Sequence, residues 1–126
     1  MFEQEHAHVL VVDDEPAIRL TLDLILRRVG YNVTTAATGE EALACLMQRT
    51  FNLLLLDPGL PGTDGVAVAR YAQEYHPAAQ ILFLTGSSDF NDTLITEHMG
   101  ELGCILKTAS PQAVVDRVAS VLLTLS

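Results

Sequence analysis

Five polar side chains in this sequence each follow directly on an apolar run. Asp13 and Asp14 follow Val9-Leu10-Val11-Val12, Asp57 follows Leu53-Leu54-Leu55-Leu56, Thr85 follows Ile81-Leu82-Phe83-Leu84, and Lys107 follows Cys104-Ile105-Leu106. A lone acid in such a place is ordinarily a turn or helix-cap residue. Two adjacent acids, a third acid, a hydroxyl and an amine have a joint chemistry if the fold brings them together. Crowded carboxylates repel, which raises at least one pKa and couples their titrations. A divalent cation removes that cost. An all-oxygen set without imidazole or thiolate favours magnesium over zinc, with manganese able to substitute. Asp14 and Asp57 are assigned as direct ligands, Asp13 as a ligand mainly through water, and the backbone carbonyl of Gly59 as a further oxygen. Asp57 then has a second role, because a carboxylate can accept a phosphoryl group to form an aspartyl phosphate. In that chemistry Lys107 supplies a cation to one phosphoryl oxygen and Thr85 a hydroxyl to another, and catalysis is mostly positioning and charge stabilisation. Gly86, next to Thr85, leaves the site open.

The elements that must position these groups are legible in the hydrophobic pattern. Asn52 to Gly62 contains four consecutive leucines, then an acid, two prolines and two glycines, which reads as a fully buried strand ending in a rigid turn. Val9 to Val12 and Gln80 to Thr85 are two further apolar strands. The Thr-rich stretch Asn32 to Ala36 and the short Gly103 to Leu106 suit sheet edges. Between them lie helical patterns. Pro16 opens one that carries Ile18, Leu22, Ile25, Leu26 and Val29 as far as Gly30. Thr38-Gly39-Glu40-Glu41 matches a capping box and opens another, through Ala42, Leu43, Leu46 and Met47. Gly65 to His76 forms the third, closed by Pro77, and Asp89 to Met99 a weaker fourth. Ser110-Pro111 starts the last, with Val114, Val115, Val118, Val121, Leu122 and Leu125 on its stripe. Strict strand–helix alternation implies an α/β fold with a parallel sheet covered on both faces. Placing the polar strands outermost selects the flavodoxin-like order 2-1-3-4-5, in which ligands bind at the carboxyl ends of the strands.

Composition bounds the function classes. The 126 residues make one domain, expected to span 1–126 with a core at about 8–125. A net charge of −9 with only 7 Lys and Arg leaves no basic stripe for nucleic acid or an anionic membrane. The 49% hydrophobic content and mean hydropathy of +0.30 fit a doubly covered sheet, and no apolar run approaches a membrane span. Cys45 and Cys104 give no disulfide framework and point to a reducing cytoplasm. His6, His8, His76 and His98 read as surface residues without metal-ligand spacing. Leu20 and Leu24 lie off the apolar stripe of the first helix, as ordinary surface leucines or as a docking patch; Leu123 is off that of the last, where it is a lone exposed leucine, a homodimer face or the start of a longer helix.

The pattern resembles the receiver domains of two-component response regulators. The residues that carry the resemblance are Val9 to Pro16, Leu56-Asp57-Pro58-Gly59-Leu60-Pro61-Gly62-Thr63-Asp64-Gly65, Leu84-Thr85-Gly86 and Lys107, and it runs from His8 to Leu125. It implies that Asp57 takes its phosphoryl group from a phosphohistidine on a sensor histidine kinase or histidine phosphotransfer protein. It also implies loss of that group by self-catalysed hydrolysis, with no activity on other substrates. The departures cluster. Members usually carry Tyr or Phe where Cys104 stands, and follow the lysine with a cis Pro and then Phe; here Thr108 and Ala109 follow Lys107. A cis bond before Thr108 is disfavoured, so the expectation is a trans or a strained one. Gly59 and Ser87 occupy positions that flank the hydrolytic water in the family, and both are small. The rival is a receiver-fold interaction module with little or no phosphorylation control. A dehalogenase-type phosphatase needs a second acid where Gly59 stands, and a flavin phosphate would be repelled by the acidic loop after the first strand.

Overall fold

The computed structural model describes residues 7–60, 62–86 and 103–123. Five strands, β1 (His8–Val12), β2 (Asn32–Ala36), β3 (Leu53–Leu56), β4 (Gln80–Thr85) and β5 (Gly103–Leu106), form one parallel sheet in the order 2-1-3-4-5. The helices are α1 (Pro16–Arg28), α2 (Gly39–Gln48), α3 (Gly65–Tyr75) and α4 (Pro111–Leu123). The expected helix at Asp89 to Met99, together with Ser87, His6, His98 and Leu125, lies outside the described residues.

Side chains alternate across a strand, so each apolar run feeds two cores. Leu10, Val12, Leu54, Leu56, Ile81 and Phe83 pack with Ala42 and Leu46 of α2 and Val66, Val68, Ala69 and Ala72 of α3. Val9, Val11, Leu53, Leu55, Leu82, Leu84 and Ile105 pack with Leu22 and Leu26 of α1 and Val114, Val118 and Leu122 of α4. Every residue of β3 is buried, which is why its sequence has no polar alternation.

The helix ends follow the expected chemistry with two differences. Thr38 accepts from the Glu41 N–H as capping-box logic requires, but the Glu41 carboxylate reaches back to the N–H of Ala37 instead of Thr38. Glu15 occupies the N-cap of α1 without any side-chain capping bond. Asp64 caps α3 through the Ala67 N–H, and Ser110 caps α4 through the Ala113 N–H. Val29 and Met47, expected on apolar stripes, are exposed, because α1 ends at Arg28 and Met47 follows the buried Leu46 off the core-facing stripe. Leu20, Leu24 and Leu123 are exposed as expected. His8, expected at the surface, opens β1 half-buried, bonded to Thr34 Oγ1 at 2.8 Å and packed edge-on against Phe51. No peptide bond among the described residues is cis, so Lys107–Thr108 is trans.

Candidate functional site: an acidic pocket at the strand tips

In-register pairing places the site. Val12 of β1 lies beside Leu56 of β3, and the Asp57 N–H donates to the Val12 carbonyl at 2.9 Å, so Asp13 and Asp57 leave neighbouring strands at the same level. Thr85 pairs with Leu106, and the Lys107 N–H donates to the Thr85 carbonyl at 2.7 Å. Lys107 then reaches back towards β3 and β1. Its ammonium lies 2.9 Å from Asp57 Oδ2, 2.9 Å from Asp13 Oδ2 and 3.0 Å from Glu15 Oε1. Asp57 Oδ1 accepts from the Gly59 N–H at 2.8 Å, and Asp13 Oδ1 from the Glu15 N–H at 2.9 Å.

The expected constellation is therefore brought together at one end of the sheet. One carboxylate oxygen from each of Asp13, Asp14 and Asp57 falls within 4.8 Å of the others. Asp13 is fully buried and Asp14 exposed, while Gly59 joins the group through its N–H. Thr85, at the tip of β4, is buried, and its hydroxyl has no hydrogen-bond partner among the described residues. Asp13 Oδ2 is likewise without a well-directed hydrogen bond; Lys107 at 2.9 Å is an ion contact.

The electrostatics follow from burial and crowding. Burial pushes the Asp13 pKa up, against the Glu15 N–H and Lys107, which pull it down, and the Asp57 charge adds to the rise. Burial opposes the charge on Lys107, but Asp13, Asp57 and Glu15 outweigh it and raise its pKa far above the ordinary value. Its ammonium is thus charged at neutral pH, and among the described residues it is the one cation ion-paired with the acids Asp13, Glu15 and Asp57, beside which Asp14 also lies. A hard divalent cation suits that excess of oxygen donors. Burial also pushes the thiols of Cys45 and Cys104 up, so neither supplies a thiolate.

Three contributors escaped sequence reasoning. Glu15 pairs with Lys107 instead of capping α1; the only hint was an acid adjoining Asp13-Asp14. Arg19 donates to the Asp13 carbonyl at 2.9 Å. Glu40 of α2 binds Thr63 in the segment after β3.

A doubly wound sheet in this order, with acids and a lysine converging at its carboxyl edge, defines a flavodoxin-like protein of the CheY-like type. The response regulator receiver domain model matches residues 9–119, and the chain belongs to that family. It is 36% identical over 122 residues to the transcriptional regulatory protein ResD of Bacillus subtilis, covering 97% of this chain and 50% of ResD. It thus spans about half the length of that relative. Among solved structures it is similar to a CheY-like receiver domain protein from Methanospirillum hungatei (TM-score 0.86, 28% identity, 95% and 96% of the two chains). It is also similar to the BeF3-activated DrrB receiver domain (TM-score 0.82, 28% identity, 93% and 97%).

Proposed function

We propose that this receiver domain is a phosphorylation-controlled switch, with Asp57 as phosphoacceptor and Asp13, Asp14, Asp57 and the Gly59 carbonyl as the magnesium site. The observation that carries the reading is the Lys107 ammonium held at 2.9 Å from Asp57 Oδ2 while the buried Thr85 hydroxyl has no partner among the described residues. Both are groups a phosphoryl oxygen would satisfy. When bound, magnesium neutralises charge on the oxygens of the transferring group. An Asp57 carboxylate oxygen attacks phosphorus, the N–P bond of a donor phosphohistidine breaks, and the imidazole leaves with the bond electrons and takes a proton. Lys107 follows the new charge and Thr85 donates to it. The phosphoryl group carries roughly −1.5 to −2 charge in place of the single charge of the carboxylate, so the pocket gains up to about one negative charge, which shifts the balance between two surface conformations. Hydrolysis by water resets the domain, and no other substrate is turned over.

The BeF3 activation of the DrrB receiver domain supports this reading. The donor is a sensor histidine kinase or a histidine phosphotransfer protein, the setting is the cytoplasm, and residues 1–126 act as a single domain. No helix among the described residues is long and apolar enough to cross a membrane. The exposed Leu123 makes the last helix the candidate homodimer face.

The rival interaction module draws on Cys104, which is half-buried against the α2–α3 core where the family resemblance leads one to expect an aromatic ring. The test is magnesium-dependent labelling by acetyl phosphate or binding of beryllium fluoride by the wild type and by Asp57→Asn. Response in the wild type alone supports the switch; a wild type that does not respond supports the module.

A further inference from the structure

The segment leaving β3 is held at its far end by a residue outside the acidic pocket. Glu40, in the first turn of α2, accepts twice from Thr63 through Oε2, from the backbone N–H at 3.2 Å and from the hydroxyl at 3.0 Å. Beside it Gly39 lies so close that a Cβ there would stand 1.9 Å from the Thr63 carbonyl oxygen. Gly62 has φ of 74°, the left-handed turn that presents Thr63 to Glu40. The Glu40 carboxyl is held below its usual pKa by its own backbone N–H and then by the Thr63 hydroxyl and N–H, so it is an ionised acceptor at neutral pH.

The start of α2 does not depend on this bond, since Thr38 and Glu41 cap it between them. Glu40 instead joins α2 to the segment that begins at Asp57. Thr63 stands four positions after Gly59 in the sequence, and Gly59 is itself bonded to Asp57 through its N–H, so anchors on β3 and on α2 bracket the Gly59 backbone. We infer that Glu40 is a positioning residue for the magnesium site: its clamp on Thr63 holds the Gly59 carbonyl in place before the ion arrives. This rests on the magnesium reading above, which the wild type tests separately.

The experiment is calorimetric titration of magnesium into the wild type, Glu40→Ala and Glu40→Gln at physiological salt, with thermal melts in chelator. Both variants lose the same charge, but the glutamine oxygen can accept the same two bonds. Glu40→Ala is expected to bind magnesium about 3- to 10-fold more weakly, while Glu40→Gln stays within about twofold of wild type, below the usual range for residues that orient direct ligands. Thr63→Val, which keeps the N–H and loses the hydroxyl, is expected to fall between them and serves if Glu40→Ala does not fold. Wild-type affinity in Glu40→Ala, with or without a lower melting temperature, would overturn the inference. Equal weakening in both Glu40 variants would also overturn it, because charge alone would then explain the loss. A wild type that binds no magnesium would remove the proposed site and this clamp's role with it.

Discussion

Lys107 Nζ and Glu15 Oε1 lie 3.0 Å apart across 92 residues of sequence, and the bond spends the side chain that would otherwise cap α1. The glutamate is 58% exposed, whereas Asp13 and Asp57, the other partners of the ammonium, are 0% and 14% exposed. Removing the exposed partner and removing the ammonium therefore have unequal consequences.

Glu15→Ala is expected to change unfolding free energy by less than about 1 kcal/mol, the range of exposed ion pairs. Lys107→Ala leaves Asp13 and Asp57 uncompensated and is expected to cost about 1–3 kcal/mol without magnesium, a buried-pair penalty discounted for partial exposure. Magnesium at about ten times its Kd returns about 1.4 kcal/mol by linkage. Urea unfolding with and without the ion measures all three.

Asp13→Asn is expected to stabilise the magnesium-free protein at neutral pH. The folded pKa of Asp13 is raised above its unfolded value by burial, so its favourable contribution is complete below the unfolded pKa and is lost as pH rises through the folded one. The neutral isostere escapes that loss but forfeits a proposed magnesium ligand. A urea midpoint in chelator at pH 7 that is lower in the variant would contradict the assignment.

Gly65→Ala is expected to be costly although its position opens a helix. A Cβ there would stand 2.1 Å from the Asp57 carbonyl oxygen, which is backbone and cannot step aside. The strain, of order 1–3 kcal/mol, falls on Asp57, the proposed phosphoacceptor. Lower stability together with slower labelling by acetyl phosphate is the expected result.

His8 should make stability fall on mild acidification. Burial first, then Arg49 and Arg27, lowers its folded pKa, so its contribution is present above the unfolded value near 6.5 and is lost as pH falls towards the folded one. His8→Gln should flatten the difference in unfolding free energy between pH 7.5 and pH 5.5. An unchanged slope would show that the ring is not the titrating group.

The strands, their order and the placing of the five polar residues at strand tips were legible because each depends on a local signal: an apolar run long enough to be buried on both faces, closed by a polar residue. The edge positions of β2 and β5 followed from their polar or short sequences. The misread positions lie where local patterns end. Val29 and Met47 fit a helical period but stand beyond the surface the sheet covers. His8 read as a surface residue, but Thr34, Phe51 and Arg49, all remote in sequence, pack and bond against it.

By itself the sequence determined which chemistry is available, since the supply of carboxylates, one lysine and one hydroxyl at strand tips follows from residue type and hydrophobic period. Only the tertiary structure decided how those charges are shared. That Lys107 is divided among three acids, that Glu15 serves it instead of α1, and that Glu40 reaches Thr63 depend on distances between elements remote in the chain. Coulomb and hydrogen-bond energies depend on those separations in space, and a one-dimensional pattern carries no information about them.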